Sequence, residues 1–443
     1  MERTGPGGEK SLRLLAVAAL GWAGLYLVWR VGWSWRGANP VAGAVLLLGE
    51  GYGLWSLATQ TWFSWRRPPP VRPPPTLGRQ VDVYAWTDGE PISVLRATLT
   101  GCRRLNHPHT TYLLDDGRRP ECAALAAELG VYYLTRPDRS HARAGALNHA
   151  LPRTSGELIL LLDAGQVPVP DALDAIIGYF DDPRTAVVQT APGGVGQHPG
   201  GQHPGSQHPG ADLRGAAVWC GSGALLRRAA LTGIGGVAVA TSAPELHSSI
   251  KLQRLGWRLR YHHETLLPGL PRTQLTARGA LAILATPESP VRVRGVTLPQ
   301  RLGHLASLSA CLAGGVRALL VALLAAVLWT GALPLPATWT ALALWAPATL
   351  LTSATLSHAA PQWTQVRRQR LPLLLLAAAL AAGLVARLLH AGAGLPMPEL
   401  PGIAAWVVPV LALISLCRLL RLPGLRTRKT RATAPVQLVR RAA

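Results

Sequence analysis

The sequence predicts an α/β domain that lies between two groups of membrane helices. Long apolar runs cluster near both ends of the 443-residue chain. Between these runs, residues 80–285 alternate short strand-type and helix-type patterns, which is typical of an α/β domain. Arginine-rich segments recur between the apolar runs, as they do in membrane proteins with a defined orientation.

Two apolar segments precede the central domain. Residues 14–33, which include Arg30, and residues 40–65 are each long enough to cross a bilayer, which takes about 20 apolar residues. Glu50 is the only charged residue of the second segment, so we expect it to face protein rather than lipid. Four further apolar runs follow residue 300, at 318–335, 338–356, 371–386 and 403–417. The sequence therefore predicts six membrane spans.

The distribution of Arg and Lys predicts how these spans are oriented. The N-terminus, the stretch 66–79, the loop 367–370 and the tail from Arg418 are rich in arginine. The opposite loops at 331–337 and 391–402 contain no Arg or Lys, although the first outer loop carries Arg36. By the positive-inside rule, we expect a multi-pass inner-membrane protein with the central domain and both termini in the cytoplasm.

Composition argues against other classes of protein. The chain has 44 Lys and Arg against 22 Asp and Glu, but only three of the basic residues are lysines. Topology and lipid headgroups account for much of this excess, and no nucleic-acid motif is present, so we expect no nucleic-acid partner. The five cysteines form no CxxC pair, which argues against a zinc site or a disulfide scaffold.

These patterns predict six regions along the chain. They are two N-terminal membrane helices (1–66), a proline-rich linker (67–79), the α/β domain (80–290), an interfacial segment (291–317), four membrane helices (318–421) and a basic cytoplasmic tail (422–443). In the domain, strands are predicted at 81–84, 111–114, 131–134 and 158–162, and helices at 92–105 and 120–129.

Acidic residues follow two of these strands. Asp115 and Asp116 end one strand, and Asp163 ends the apolar run 158–162. The carboxyl ends of strands in an open parallel sheet form a ligand crevice, so these acids suit a nucleotide or metal-diphosphate site. The alternative is that they only cap the following helices.

Several segments of the domain resemble a known family. They are Val81-Asp82-Val83-Tyr84, residues 87–91, LDDGRRP at 114–120, HARAGALNHAL at 141–151 and CGSGALLRR at 220–228. Together with the flanking spans, they are similar to family-2 glycosyltransferases of the bacterial cellulose synthase catalytic subunit type. The resemblance implies a cytoplasmic GT-A-type domain inserted between transmembrane helices.

The same resemblance implies inverting transfer of a hexose from a UDP-sugar to a growing glycan. It places Thr87, Glu90, Asp115 and Asp116 at the nucleotide, and we call these four residues the nucleotide side. Arg143 stands where the family has a lysine and also falls at the nucleotide. Asp163 would hold Mg²⁺ or Mn²⁺, and Glu245 would be the catalytic base.

Three catalytic motifs depart from the family pattern. The DxD motif reads Asp163-Ala164-Gly165, the TED motif reads Ala243-Pro244-Glu245, and the QxxRW motif is absent at 272–276. Metal binding is therefore expected to be weak. Because these departures all affect one reaction, the alternative is a catalytically degenerate subunit that binds a nucleotide sugar or acts as a scaffold. The implied partners are a UDP-sugar, a glycan acceptor, membrane lipids and, in the alternative, a partner synthase subunit.

A Gln-His-Pro-Gly repeat interrupts the region where the family contacts its acceptor. Its histidines, His198, His203 and His208, recur at a spacing of five and suggest a zinc or copper site. The glycine and proline in every copy favour a variable loop instead, because an ordered site would cost much conformational entropy.

Overall fold

The structure is a computed structural model that describes residues 6–65, 72–191, 210–269, 277–336, 338–359, 378–387, 404 and 407–412. Its residues divide between two compact units. The first unit lies within Met1–Leu20, Leu54–Ala313 and Leu351–Gln362, and it contains the α/β domain. The second unit lies within Gly21–Gly53, Gly314–Leu350 and Trp363–Ala443. The Gln-His-Pro-Gly repeat, residues 272–276 and the predicted tail at 422–443 lie outside the described residues.

The first unit is built on a seven-stranded sheet. The strands are β1 Val81–Thr87, β2 His109–Asp115, β3 Tyr132–Leu134, β4 Leu158–Asp163, β5 Thr185–Thr190, β6 Ala224–Arg227 and β7 Arg258–His262. Their order across the sheet is β3-β2-β1-β4-β6-β5-β7. β1 pairs in parallel with β2 and β4, but β6 runs antiparallel to both β4 and β5. The predicted parallel sheet is thus wrong only for β6, which runs opposite to the other six strands of this sheet.

Thirteen α-helices of the described residues are numbered in chain order. They are α1 Pro6–Gly32, α2 Pro40–Ser64, α3 Ile92–Arg103, α4 Pro120–Glu128, α5 Ala142–Ala150, α6 Ala172–Ile176, α7 Arg228–Gly233, α8 Pro244–Arg254, α9 Ala277–Ala285, α10 Leu298–Ala310, α11 Ala313–Thr330, α12 Trp339–Ala359 and α13 Ala378–Arg387. The predicted helices at 92–105 and 120–129 correspond to α3 and α4. α10 lies within the predicted interfacial segment.

The sheet of the first unit is buried on both faces, as β4 illustrates. Every residue of β4 is buried. Because alternate side chains of a strand point to opposite faces, both faces of the sheet must be covered at this strand. Leu158, Leu160 and Leu162 join the core on one face with residues of α6. Ile159 and Leu161 join the core on the other face with residues of α5 and α8. Helices on both faces therefore fix the strand ends that carry the predicted site.

The proline-rich linker is tied to the α/β domain through the part that the structure describes. The Nε and Nη1 atoms of Arg72 lie 2.9 Å from Glu264 and 2.6 Å from Asp171. Arg79 donates to Glu157 at 2.6 Å through Nη1. These ion pairs attach both ends of segment 72–79 to the first unit.

Three described helices are long and apolar enough to cross a membrane. They are Arg13–Gly32, Pro40–Ser64 and Ala313–Thr330. The third ends five residues earlier than the predicted span because Gly331, with a φ of 68°, adopts the left-handed conformation that ends helices. The predicted fourth span corresponds to α12, which contains Pro347. The fifth overlaps the short apolar helix α13, and most of the sixth lies outside the described residues.

A buried polar cluster joins α1 to α2 within the second unit. The guanidinium of Arg30 donates to Glu50 at 3.4 Å and to the carbonyl oxygen of Gly43 at 2.7 Å, and it also contacts Ser34. The hydroxyl of Tyr26 donates to Glu50 at 2.5 Å. Glu50 therefore faces protein, as the sequence predicts, and the cluster satisfies a charge that would be costly in an apolar environment.

Candidate active site

The nucleotide side begins at the end of β1. Thr87 is its last residue, and its hydroxyl donates to Glu90 Oε2 at 2.6 Å. The backbone N–H of Asp88 donates to the same oxygen at 2.8 Å. Arg119 then links this turn to the loop after β2, because it donates to the Thr87 hydroxyl at 3.0 Å and to the Glu90 carbonyl at 2.6 Å.

Asp115 ends β2 and organises the turn before α4. Its carboxylate accepts the backbone N–H groups of Gly117 at 2.8 Å and Arg119 at 2.7 Å. It also accepts the Tyr133 hydroxyl at 3.0 Å. Burial, together with this carboxylate, raises the pKa of Tyr133. The contacts of Asp115 fit the structural alternative, in which the acid holds the turn that leads into the helix.

Asp116 is held by a buried arginine that sequence reasoning did not single out. Arg136 donates to it through Nε at 2.6 Å and Nη2 at 2.9 Å, which is the two-pronged geometry that a guanidinium makes with a carboxylate. Trp86 Nε1 donates to the same carboxylate at 3.2 Å. Arg136 also contacts the carbonyl oxygens of Ser140 and Ala142, both at distances of 2.6–2.8 Å.

The turn before α5 is fixed by this same arginine. His141 and Ala142 have φ angles of 59° and 43°, in a region that residues other than glycine rarely occupy. Such strain persists only where surrounding contacts impose it, and Arg136 supplies them. A Cβ at Gly145 would collide with the Arg136 guanidinium, so the close approach requires glycine at that position.

Arg143, which follows Ala142, joins two acids from distant parts of the chain. Its Nη1 lies 2.8 Å and 3.1 Å from the two carboxylate oxygens of Asp163, at the end of β4. Its Nη2 donates to Glu245, in the first turn of α8. All three side chains are buried. We call Arg143, Asp163 and Glu245 the transfer side, and the structure brings together all three of these predicted residues.

Arg143 provides the positive charge of the transfer side. Burial alone would lower the pKa of Arg143, but Asp163 and Glu245 outweigh it and raise that pKa. Nearby, burial and the charge of Glu245 raise the pKa of the Cys220 thiol to about 12, so this cysteine stays protonated at neutral pH. The transfer side therefore holds two acids and one permanent cation.

In the turn after β4, Ala164 and Gly165 occupy the remaining positions of the DxD motif. Ala164 is buried in the core with residues of α3 and α4. Gly165 has a φ of 98°, which favours glycine, and its backbone N–H donates to the Thr98 hydroxyl at 2.9 Å. Asp163 is thus the only carboxylate that this turn offers.

The residues present do not fit the predicted divalent ion. Mg²⁺ and Mn²⁺ require several oxygen ligands around an accessible carboxylate. The carboxylate of Asp163 is fully buried, and it accepts Arg143 and, at 2.8 Å, the Ser222 hydroxyl. Across the described ranges, no three His, Cys, Asp or Glu side chains gather into a metal-binding group. An ion on Asp163 stays a prediction from the resemblance.

Sequence reasoning missed the residues that connect the predicted ones. Arg119, Arg136 and Ser222 lie in or near the recognised segments, but their partners are 20 to 59 residues away or across a turn. The available signal was the position of Arg119 in LDDGRRP and of Ser222 in CGSGALLRR, and Arg136 lies in neither segment.

The chain is similar to known proteins both in sequence and in fold. Residues 89–239 match the family model described as "Glycosyl transferase family 2". This range includes Glu90, Asp115, Asp116, Arg143 and Asp163, and it ends before Glu245. A mannosyltransferase from Pyrobaculum calidifontis, solved with GDP-Man and Mn²⁺, superposes with a TM-score of 0.52 at 21% identity and covers 72% of this chain and 97% of that one. This likeness shows a GT-A-like fold.

Two similar relatives are bacterial cellulose synthases. Cellulose synthase 1 of Komagataeibacter xylinus is 33% identical over 323 residues, which is 65% of this chain and 21% of that protein. The UDP-forming cellulose synthase catalytic subunit of Xanthomonas axonopodis pv. citri is 34% identical over 296 residues, which is 61% of this chain and 40% of that protein. The chain thus spans less than half the length of these relatives. From the sheet, the site and these similarities, the chain carries a region that matches family-2 glycosyltransferases, and it resembles bacterial cellulose synthase catalytic subunits.

Proposed function

We propose that this protein transfers a hexose from a UDP-sugar to a growing polysaccharide at the inner membrane. The observation that carries the proposal is the ion triad of the transfer side. Arg143 brings the predicted base Glu245 beside Asp163 at the end of β4, where ligands of such sheets bind. The UDP-forming relative supports the choice of donor.

In the proposed reaction, an acceptor hydroxyl oxygen attacks the anomeric carbon of the donor sugar. Glu245 accepts the hydroxyl proton, the new glycosidic bond forms, and the bond between the anomeric carbon and the UDP oxygen breaks. The negative charge that develops on the leaving diphosphate would be stabilised by the Arg143 guanidinium, which is permanently charged. Glu245 lies in the first turn of α8.

The nucleotide side would bind the uridine and the diphosphate of the donor. Thr87, Glu90 and Asp115 are connected through Arg119, and Asp116 is connected to the α5 turn through Arg136. These contacts preorganise the loops after β1 and β2 before the donor arrives, which lowers the entropic cost of binding.

The membrane helices would keep the domain at the inner face of the membrane. Three described helices are compatible with spanning it. The arginine-rich N-terminus and the segment 66–79 support a cytoplasmic domain and cytoplasmic termini. Lipid headgroups and the glycan acceptor are the remaining proposed partners.

One observation favours the second candidate, a degenerate nucleotide-sugar-binding or scaffolding subunit. Oε1 of Glu245 already accepts a hydrogen bond from Arg143, so this oxygen of the predicted base is not open to an acceptor hydroxyl. In this case the protein would bind UDP-sugars without turnover and act through a partner synthase subunit.

The test is UDP release by the purified full chain in lipid nanodiscs, measured with a panel of UDP-sugars and an oligosaccharide acceptor. Glu245→Gln and Asp163→Asn are the test variants. Glu128→Gln is the matched control, because Glu128 is an exposed acid that pairs with Arg96 on the surface. Release by the wild type and the control, but not by the test variants, supports the transferase. Binding of UDP with no release supports the degenerate subunit.

A further inference from the structure

Arg143 occupies the position between the two acids of the transfer side. It is the second residue of α5, and its guanidinium fills the space between Asp163 on β4 and Glu245 on α8. A guanidinium carries five N–H donors, which is more than these carboxylate contacts use. The arrangement thus places a fixed positive charge at the carboxyl end of the central strand.

A divalent ion would have to displace this arginine to reach Asp163. One oxygen of the carboxylate accepts Arg143 at 2.8 Å, and the other accepts Arg143 at 3.1 Å and Ser222 at 2.8 Å. The carboxylate has no exposed surface. An ion added beside the guanidinium would also be repelled by its like charge, and this repulsion is strong in a buried site.

Other arginines near the site can also meet the charge of a diphosphate. The stretch from residue 118 to residue 143 carries five of them, namely Arg118, Arg119, Arg136, Arg139 and Arg143. Arg139 pairs with Asp88 in the β1 turn and keeps more than half of its side chain exposed. Arginine binds phosphate oxygens through two parallel hydrogen bonds, without help from a metal.

We infer that Arg143 is the resident cation of the donor site and that the UDP-sugar binds there without a divalent ion. The inference rests on the proposed function, because it concerns the same donor. It assigns to a side chain the charge that an ion supplies in a metal-dependent transferase. It also explains how one carboxylate can suffice where the family pattern has two, since no ion has to be held.

The experiment consists of two measurements. Calorimetry gives the UDP affinity in EDTA and in Mn²⁺, and electron paramagnetic resonance detects direct binding of Mn²⁺. Both use the full chain in nanodiscs. For the wild type we expect UDP affinities within about twofold in the two buffers and no tightly bound Mn²⁺. Arg143→Ala should lose at least about tenfold in UDP affinity in EDTA, because a charge-assisted contact to phosphate is removed.

In Arg143→Ala, the two freed acids should also bind Mn²⁺, which the wild type should not. Arg143→Lys keeps a cation, so it should retain binding in EDTA, and it covers the case in which the alanine variant fails to fold. Arg96→Ala is the control, because Arg96 makes a surface ion pair with Glu128. Its UDP affinity should equal that of the wild type.

The outcomes separate this inference from the proposed function. The inference alone would be overturned if Mn²⁺ raised the UDP affinity of the wild type about tenfold or more and the Asp163→Asn substitution abolished this increase. Absence of UDP binding in either buffer would contradict the proposed function. In that case the resonance measurement still decides the inference, since Mn²⁺ bound by wild-type Asp163 would refute it.

Discussion

The nucleotide side and the transfer side bury acids in two different ways. On the nucleotide side, Asp115 and Asp116 are held by backbone N–H groups and by arginines from neighbouring turns. On the transfer side, two acids that are distant in sequence share Arg143. The acids of the first region are thus satisfied locally and redundantly, whereas the two acids of the second region share one arginine as their cation.

The largest effect should follow the loss of Arg143. Arg143→Ala leaves two buried carboxylates without their cation, so we expect the free energy of unfolding to fall by about 3–5 kcal/mol. Thermal or denaturant unfolding in nanodiscs measures it. Adding Asp163→Asn and Glu245→Gln should recover part of the loss, because neutral amides need no cation. An Arg143→Ala variant as stable as the wild type would contradict the role of Arg143 as the shared cation of the two acids.

A smaller loss is expected from Asp116→Asn. The substitution removes the charge that Arg136 binds, but Arg136 keeps the carbonyl oxygens of Ser140 and Ala142. We expect the free energy of unfolding to fall by about 1–3 kcal/mol, as for a weakened hydrogen bond to a charged group. The same unfolding measurement checks it. A loss larger than that of Arg143→Ala would show that the nucleotide side is not redundant.

Acid should weaken the far end of α8. His304 on α10 hydrogen-bonds Gln253 at 2.7 Å, and burial lowers the pKa of His304 to about 3. The neutral form is favoured in the folded state, so its stability contribution is complete above the unfolded pKa of about 6.5 and declines as pH falls towards 3. Between pH 7 and pH 5 the loss is up to about 2 kcal/mol.

The measurement is the difference in melting temperature between pH 7 and pH 5, for the wild type and His304→Gln. The glutamine keeps a side-chain hydrogen-bonding group and does not titrate. We expect the variant to lose less stability than the wild type at pH 5. Identical pH dependence of the two proteins would rule out His304 as a source of acid sensitivity.

The smallest effect should come from Tyr133→Phe. It deletes one hydrogen bond to Asp115, which keeps the backbone N–H groups of Gly117 and Arg119. A loss of about 0.5–1.5 kcal/mol is expected, and UDP affinity should be unchanged because the turn is preserved. Unfolding and calorimetry test this pair of expectations. A marked loss of UDP affinity would mean that Asp115 needs all of its donors.

The sequence predicted the elements whose patterns are local. The apolar run 158–162 lies in β4, and the predicted strands at 81–84, 111–114 and 131–134 overlap β1, β2 and β3. β5, β6 and β7 were not predicted. β6 has only four residues, and its antiparallel direction depends on pairing with β4 and β5 rather than on its own composition.

The residues of the candidate site could be predicted, but the contacts between them could not. The resemblance supplied Asp163, Arg143 and Glu245, and the structure brings them together. The contact of Arg143 with Glu245 spans 102 residues of sequence, and no local pattern specifies such a pairing. The resemblance implied a weakly bound metal at Asp163, whereas the structure has an arginine and Ser222 against that carboxylate.

Photoaffinity labelling tests whether the strand ends of the first unit bind a UDP-sugar. The full chain in nanodiscs is irradiated with 5-azido-UDP-glucose, and the labelled peptides are identified by mass spectrometry. We expect labelling within residues 87–91, 115–119 or 136–143 that unlabelled UDP abolishes. Labelling confined to other parts of the chain, or labelling that UDP does not displace, would contradict the account.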